Sequence, residues 1–259
     1  MTEEKEFLIP KSHPRYLSLK LREHITDGVT DGLTAFEGLI AHGRGEAFDY
    51  LLGEQSIPAA KRANLVAGAY LVTATNPVIS INGNVAALAA AEIIELGKLI
   101  SAKLEVNIFH FSKKRFNAIL NKFKELGAVD VLGEVRDKKI PGLDHARAMC
   151  TNEGIFSSDV VLVPLEDGDR AEGLRKMGKV VLTIDLNPLS RTSRVSNVTI
   201  VDNLIRTIPL LIENIKKLKY ERNDELIKII DSFDNDQNLK ETLDFINQRL
   251  DELRIQSGI

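Results

Sequence analysis

From residue 77 onward, short runs of β-branched and aliphatic residues alternate with amphipathic segments of helical length. The runs Val78 to Ile81, Leu104 to Phe111, Val129 to Leu132, Val160 to Leu165, Val180 to Ile184 and Val198 to Val201 predict strands. Between and after them, Val85 to Ile100, Lys113 to Leu126, Arg170 to Met177 and Leu204 to Leu218 predict helices. Gly127 and Gly178 follow the second and third of these, where a left-handed C-cap is cheapest without a β-carbon. Parallel strands need long crossovers, and those are usually helical. The alternation therefore predicts an α/β fold with a doubly wound, mainly parallel, Rossmann-like sheet.

The flanks read differently. Pro14 to about Thr75 shows helical periodicity with no strand alternation, and Leu33, Phe36, Leu39 and Ile40 are spaced as one apolar stripe. This predicts an N-terminal helical part over 1–76, joined to the α/β part over 77–220 in a single domain. After Tyr220 the chain becomes strongly charged, and Leu239, Leu243, Ile246, Leu250 and Leu253 recur at heptad-like spacing. A C-terminal helical extension over 221–259 is expected, packing on its own domain or on another copy.

With 259 residues, 44% of them hydrophobic, the chain can bury one substantial core without disulfides or metals. Its 34 basic and 37 acidic residues nearly cancel, which removes the positive field of a nucleic-acid-binding protein. A single cysteine, Cys150, has no internal partner, and Met1 to Glu6 lacks the layout of a signal peptide. No apolar run is long enough for a membrane helix. A cytoplasmic protein without nucleic-acid or membrane partners is expected. No His-Glu-x-x-His or Cys/His set points to zinc, no Gly-x-Ser-x-Gly elbow to a nucleophile, and no Walker motif to a P-loop.

In open α/β sheets ligands bind beyond the carboxyl ends of the strands. There the sequence places Asn82-Gly83-Asn84, then Glu166 to Arg170, then Asp185 to Arg194, then Asp202-Asn203 with Arg206 beyond. The segment Asp185 to Arg194 gathers an acid, an amide, three hydroxyls and two guanidiniums, a composition suited to an anion cradle. It equally suits a solvated loop whose hydroxyls cap turns. Asn82-Gly83-Asn84 reads either as a helix cap or as a ligand contact. Glu166, Asp167 and Asp169 read as magnesium ligands or as acids complementing the next helix N-terminus. In His42-Gly43-Arg44-Gly45-Glu46 two glycines flank an arginine between helical stretches, either approaching a ligand closely or forming an ordinary turn. Lys11, His13 and Arg15, in a proline-punctuated surface segment, either face a phosphate or are solvated.

Five blocks in order, Ile9 to Arg15, Leu39 to Tyr50, Pro77 to Asn84, Val161 to Arg170 and Ile184 to Thr192, resemble the archaeal phosphopantothenate synthetase family. That resemblance implies a homodimeric ligase that joins 4-phosphopantoate to beta-alanine with ATP and magnesium, releasing AMP and pyrophosphate. It places nucleotide contacts on Arg22, Arg44, Asp185, Leu186, Asn187, Arg191, Thr192, Asp202 and Asn203. Arg44, Arg191 and Asn187 become the catalytic candidates, and Lys11, His13, Asn82, Gly83 and Asn84 the candidates for holding the substrate phosphate. The segment Asp144 to Cys150 departs from the family pattern. Two other classes stand beside the ligase: a dinucleotide-dependent oxidoreductase and a non-catalytic nucleotide-binding regulator.

Overall fold

The computed structural model describes residues 9–257. The start Met1 to Glu6, on which the absence of a signal peptide was argued, lies outside the described residues, as do the last two residues of the C-terminal extension. Three helices come first: α1 (Tyr16–Thr30), α2 (Phe36–Leu52) and α3 (Pro58–Thr73). Then follow β1 (Val78–Ile81), α4 (Gly83–Ile100), β2 (Lys103–Val106), α5 (Lys113–Glu125), and a small antiparallel pair of β3 (Lys138–Lys139) and β4 (Met149–Cys150). The chain continues through β5 (Val160–Pro164), α6 (Gly168–Lys176), β6 (Val180–Ile184), α7 (Arg191–Val195), β7 (Val198–Ile200), α8 (Leu204–Leu218), α9 (Asn223–Asp231) and α10 (Asn235–Ser257).

Five strands form one all-parallel sheet in the order β2-β1-β5-β6-β7. The order reverses between β1 and β5, which opens the crevice that such sheets use for ligands. Strand side chains alternate between the two faces. Ile79, Ile81, Leu162, Leu182 and Ile184 pack with α3, α4 and α8 in the larger core. Val78, Val161, Val163 and Val181 pack with α6, Ile140, Leu143 and Cys150 in the smaller one. Both faces are covered, which is why the strands read as continuous apolar runs. The doubly wound fold expected from the alternation is the one present.

Several local expectations change. The run Leu104 to Phe111 stays in the sheet only to Val106, because the Asn107 side chain turns to donate to the carbonyls of Arg147 and Met149, at 3.3 and 3.0 Å. Val129 to Leu132 gives a single bridge, Leu132 to Glu105, since Asp130 adopts a left-handed backbone and Val129 points to solvent. The supposed stripe Leu33, Phe36, Leu39, Ile40 is not one face. Leu33 is buried in the turn before α2, whereas Phe36 and Ile40 are 74% and 70% exposed, because helical spacing cannot carry across that turn. The glycine-flanked Arg44 lies inside α2 rather than between helices.

The helical ends behave as capping chemistry requires. Asn82 Oδ1 accepts from Val85 N–H at 3.0 Å, and Gly127 and Gly178 take φ of +81° and +80°. Gly83 is demanded by space: a β-carbon there would sit 2.3 Å from the Leu33 carbonyl oxygen. In α10, Leu239 and Ile246 are buried against the body of the protein while Leu250 and Leu253 are 45% and 42% exposed. The same helix seals the outer edge of β7. Asn235 Oδ1 accepts from Thr199 N–H at 2.8 Å, and Asn238 Nδ2 donates to the Thr199 carbonyl at 2.9 Å. Two asparagine side chains thus satisfy backbone groups that an edge strand otherwise exposes. No described helix is long and apolar enough to cross a membrane.

Candidate active site

A cavity of about 710 Å³ lies at the carboxyl ends of the strands, roofed by α1 and α2. Its wall is built from four strand-to-helix junctions: Asn84 after β1, Leu165 to Gly168 after β5, Asp185 to Asn187 and Ser190 to Thr192 after β6, and Asn203 to Arg206 after β7. Helices therefore begin around one space, and the first N–H groups of a helix, unpaired within it, favour anions there. The roof adds Ser18, His42, Arg44, Glu46 and Asp49, and the N-terminal segment adds Lys11 and His13.

The junction after β6 is shaped by its own side chains. Asp185 Oδ2 accepts from Ser190 Oγ at 2.5 Å and Oδ1 from Asn187 N–H at 2.9 Å. Ser190 then caps α7 by accepting from Ser193 N–H at 3.0 Å, and Ser193 Oγ donates to the Asn187 carbonyl at 2.8 Å. Burial raises the Asp185 carboxyl above its ordinary value, although these hydrogen bonds and the nearby Arg44 charge pull the other way. Asn187 Oδ1 is taken by Leu189 N–H at 2.9 Å, which leaves its amide N–H groups unpaired among the described residues. Arg44, exposed on α2, makes no hydrogen bond or ion pair among the described residues, so its guanidinium is available to a ligand.

The junction after β5 is held by buried charge. Glu166, 1% exposed at its side chain, pairs with Arg147 and Arg170, and Asp167 pairs with Arg147 at 2.9 Å. The two acids thus serve as ion-pair partners, and Asp167, although it sits at the N-cap of α6, makes no side-chain cap bond. Asp169 pairs with Arg191, which also reaches Glu172; all three side chains are substantially exposed. Thr192 Oγ1 donates to the Glu166 carbonyl at 2.8 Å and so joins this junction to the next.

After β7, Asp202 is 2% exposed and accepts from Ser56 Oγ at 2.5 Å and from Arg206 Nε at 2.8 Å. Arg206 also grips Asp49 on α2, at 2.5 Å, and Asn203 Nδ2 donates to Asp49 at 3.0 Å. Burial works to lower the Arg206 pKa, but the bonds and charges of Asp49 and Asp202 leave it raised. This network ties the helix carrying Arg44 to the start of α8.

Of the residues singled out in the sequence, the cavity wall brings together Lys11, His13, Arg44, Asn84, Asp185, Leu186, Asn187, Arg191, Thr192 and Asn203. Four stand behind it. Arg22 pairs with Glu46 at 2.9 Å, Asp202 faces Ser56 and Arg206, Gly83 lies against Leu33, and Asn82 donates to the carbonyls of Pro164 and Leu165 at 2.9 and 3.1 Å. Asp49 lines the wall without having been singled out, as does Glu46, named in the sequence only as the end of the Arg44 segment. Arg206 was visible as a basic residue at a helix start, where the dipole disfavours it unless acids compensate.

No group of three or more His, Cys, Asp or Glu suited to a metal occurs among the described residues. The wall acids Glu46, Asp49, Glu166, Asp167 and Asp185 are engaged by guanidiniums, hydroxyls, an amide or backbone. The described residues thus build no cage for a resident magnesium ion. Cys150 is buried and unpaired, its thiol pushed up to about 11 chiefly by burial, which makes it inert.

The sheet order, the switch-point crevice and the helix starts gathered around Arg44, unpaired among the described residues, define an open, doubly wound α/β protein with a cleft suited to anions. The sequence matches the Phosphopantothenate/pantothenate synthetase family over residues 59–249, a span that includes α9 and most of α10. It is 51% identical over 246 residues to the 4-phosphopantoate-beta-alanine ligase of Thermococcus onnurineus, covering 95% of this chain and 94% of that one. The ligases of the same name from Methanosarcina mazei and Methanospirillum hungatei are each 47% identical, over 96% and 94% of this chain and 98% of each relative. The chain belongs to the phosphopantothenate/pantothenate synthetase family.

Proposed function

We propose that this chain is an ATP-dependent 4-phosphopantoate-beta-alanine ligase, acting in the cytoplasm as a homodimer in coenzyme A biosynthesis. The observation that carries this reading is the likeness to ligases of that name along 94–98% of their length. The cleft supports it chemically: joining two anionic substrates at the expense of a polyphosphate calls for anion-binding groups rather than a nucleophilic side chain. No observation favours an oxidoreductase or a regulator.

In this proposal the carboxylate oxygen of phosphopantoate attacks the α-phosphorus of ATP, the bond to the β-phosphate oxygen breaks, and pyrophosphate leaves. The neutral amine of beta-alanine then attacks the acyl carbon, AMP departs, and the amine gives up a proton. Arg44 stabilises charge on the phosphates, and Arg191 does so after exchanging Asp169 and Glu172 for them. The amide of Asn187 and the wall residues Leu186, Thr192 and Asn203 orient the nucleotide, while Asp185 holds their loop in shape. Arg22 and Asp202 support the site from behind, through Glu46 and Arg206. Lys11, His13 and Asn84 are the wall groups suited to the substrate phosphate, with Asn82 and Gly83 shaping the turn beneath Asn84. Magnesium would enter with the nucleotide phosphates, since it commonly keeps its waters and takes few protein ligands.

The test is AMP release from ATP and magnesium, with 4-phosphopantoate and beta-alanine added singly and together. AMP and phosphopantothenate only when both are present is the expected result; no AMP under any combination refutes the ligase.

A further inference from the structure

The segment Asp144 to Cys150 has no part in the proposed reaction steps, yet one of its side chains reaches two residues of the cleft wall from behind. Arg147, between the turn at Gly142 and β4, is 5% exposed at its side chain. Its guanidinium pairs with Glu166 through both terminal nitrogens: Nη2 donates to Oε2 at 2.7 Å, and Nη1 lies 2.7 Å from Oε1 as an ion pair. Nη1 also reaches Asp167 Oδ2 at 2.9 Å, and Nε donates to Asn107 Oδ1 at 3.2 Å. Asn107 Nδ2 in turn donates to the Arg147 carbonyl, so the arginine is aimed from both ends.

The turn it grips is under backbone strain. Leu165 has φ of +55°, a left-handed conformation that is unfavourable for a bulky L-residue and persists only when the surroundings enforce it. One restraint is Asn82, which spans the switch point to hold the carbonyls of Pro164 and Leu165. The other comes one and two residues later, where Arg147 holds Glu166 and Asp167. Directly after that, Gly168 leaves no room: a β-carbon there would lie 2.6 Å from the β-carbon of Arg191. The Glu166 carbonyl meanwhile accepts from Thr192. Any shift of the turn is therefore passed to Arg191 and Thr192 through direct contact.

We infer that Arg147 is a positioning residue of the ligase: it sets the Leu165 to Gly168 turn and, through it, the placement of Arg191 and Thr192, without touching substrate. The inference rests on the proposed ligase reaction. It assigns to Arg147 the first half of that reaction, in which pyrophosphate leaves, and no part in the capture by beta-alanine. Lysine cannot replace the fork, because an ammonium is a point donor that cannot hold two carboxylates and an amide in one plane.

The test compares the parent chain with Arg147→Lys and Arg147→Met. Exchange of labelled pyrophosphate into ATP, with phosphopantoate present, reads the first half; capture of preformed acyl-adenylate by beta-alanine reads the second. Arg147→Lys is expected to slow exchange about tenfold or more, as loss of a bidentate charge-assisted contact can do. Capture and the KM for beta-alanine should stay within about twofold, as for a contact that does not serve that step. Arg147→Met, which leaves Glu166 paired with Arg170, is expected to do the same more severely. Unchanged exchange in both variants overturns the inference, and so does equal slowing of both halves, which would mark a general loosening of the fold. Should the parent chain itself form no AMP, it is the ligase reading that falls. The role of Arg147 is then decided by calorimetric ATP affinity, where unaltered binding by Arg147→Lys overturns it.

Discussion

The turns after β5 and β6 begin alike and end differently. Each leaves a buried strand with an acid within two residues, Glu166 in one and Asp185 in the other, and each lines the same cavity. The β5 turn is fixed by charge brought from elsewhere: Arg147, 19 residues upstream, and Arg170 on the following helix enclose a carboxylate that is 1% exposed. The β6 turn is fixed largely by its own hydroxyls and N–H groups, and Arg44, whose charge acts on Asp185 from across the cavity, makes no bond to it among the described residues. The first turn is a charge-balanced scaffold, whereas the second is a local frame that leaves an amide and a guanidinium open. An acid after a strand is thus no sign of ligand binding by itself. What decides is whether a cation from another part of the chain reaches it.

That contrast can be broken most forcefully at Glu166. Replacing it by alanine leaves Arg147 and Arg170 without their buried partner, and a loss of about 3–5 kcal/mol is expected by urea denaturation. A loss below about 1 kcal/mol would show the β5 turn to be no more scaffold than an exposed ion pair. Arg44→Ala should do the reverse. Turnover drops by about 100-fold to 1,000-fold, as when an oriented charge-stabilising group is lost, while the denaturation midpoint stays where it was. A shifted midpoint would mean that Arg44 is a structural partner after all.

Arg191→Ala tests the seam between the two turns. Because its ion pairs are solvent-exposed, the melting temperature should not move, while turnover should fall about tenfold. Near-normal turnover removes Arg191 from the mechanism. The smallest effect is expected at Asp185→Asn, about 1 kcal/mol from weakened hydrogen bonds. It carries a pH signature. The folded-state pKa of Asp185 is raised, so the parent chain gives up that residue's contribution as pH climbs from the ordinary aspartate value through the raised one. The asparagine variant should show a flatter stability profile over that window, and an unchanged slope would mean that Asp185 is not the group titrating.

Much of this architecture was legible in the sequence because it is governed by local rules. The helix Leu204 to Leu218 has the bounds its periodicity gave, and Asn82, Gly127 and Gly178 cap where short-range chemistry says they should. The polar segments after four strands line one cavity because topology brings strand ends together. What sequence could not show is pairing across distance. Nothing near Glu166 announces Arg147, and nothing in α2 announces that Asp49 will meet Arg206, 157 residues later. Periodicity also misled where a turn intervened, as between Leu33 and Phe36, or where one side chain broke an apolar run, as at Asn107. The glycines beside Arg44 looked like a loop; packing in α2 overrode that propensity, at positions where Gly43 has nothing within 4 Å of a notional β-carbon and Gly45 faces Leu186.

The asparagines of α10 that seal β7 bear on the life of the chain before it is finished. Asn235 and Asn238 are synthesised after every strand of the sheet, and Asn235 also holds the carbonyl of Ser193, at 2.9 Å, in the helix that carries Arg191. A growing chain that has delivered all five strands to the ribosome surface still presents an open edge, able to pair with a neighbouring copy. The arrival of two short amides closes that edge and steadies the cleft in the same event, so ligand competence and protection from misassembly mature together.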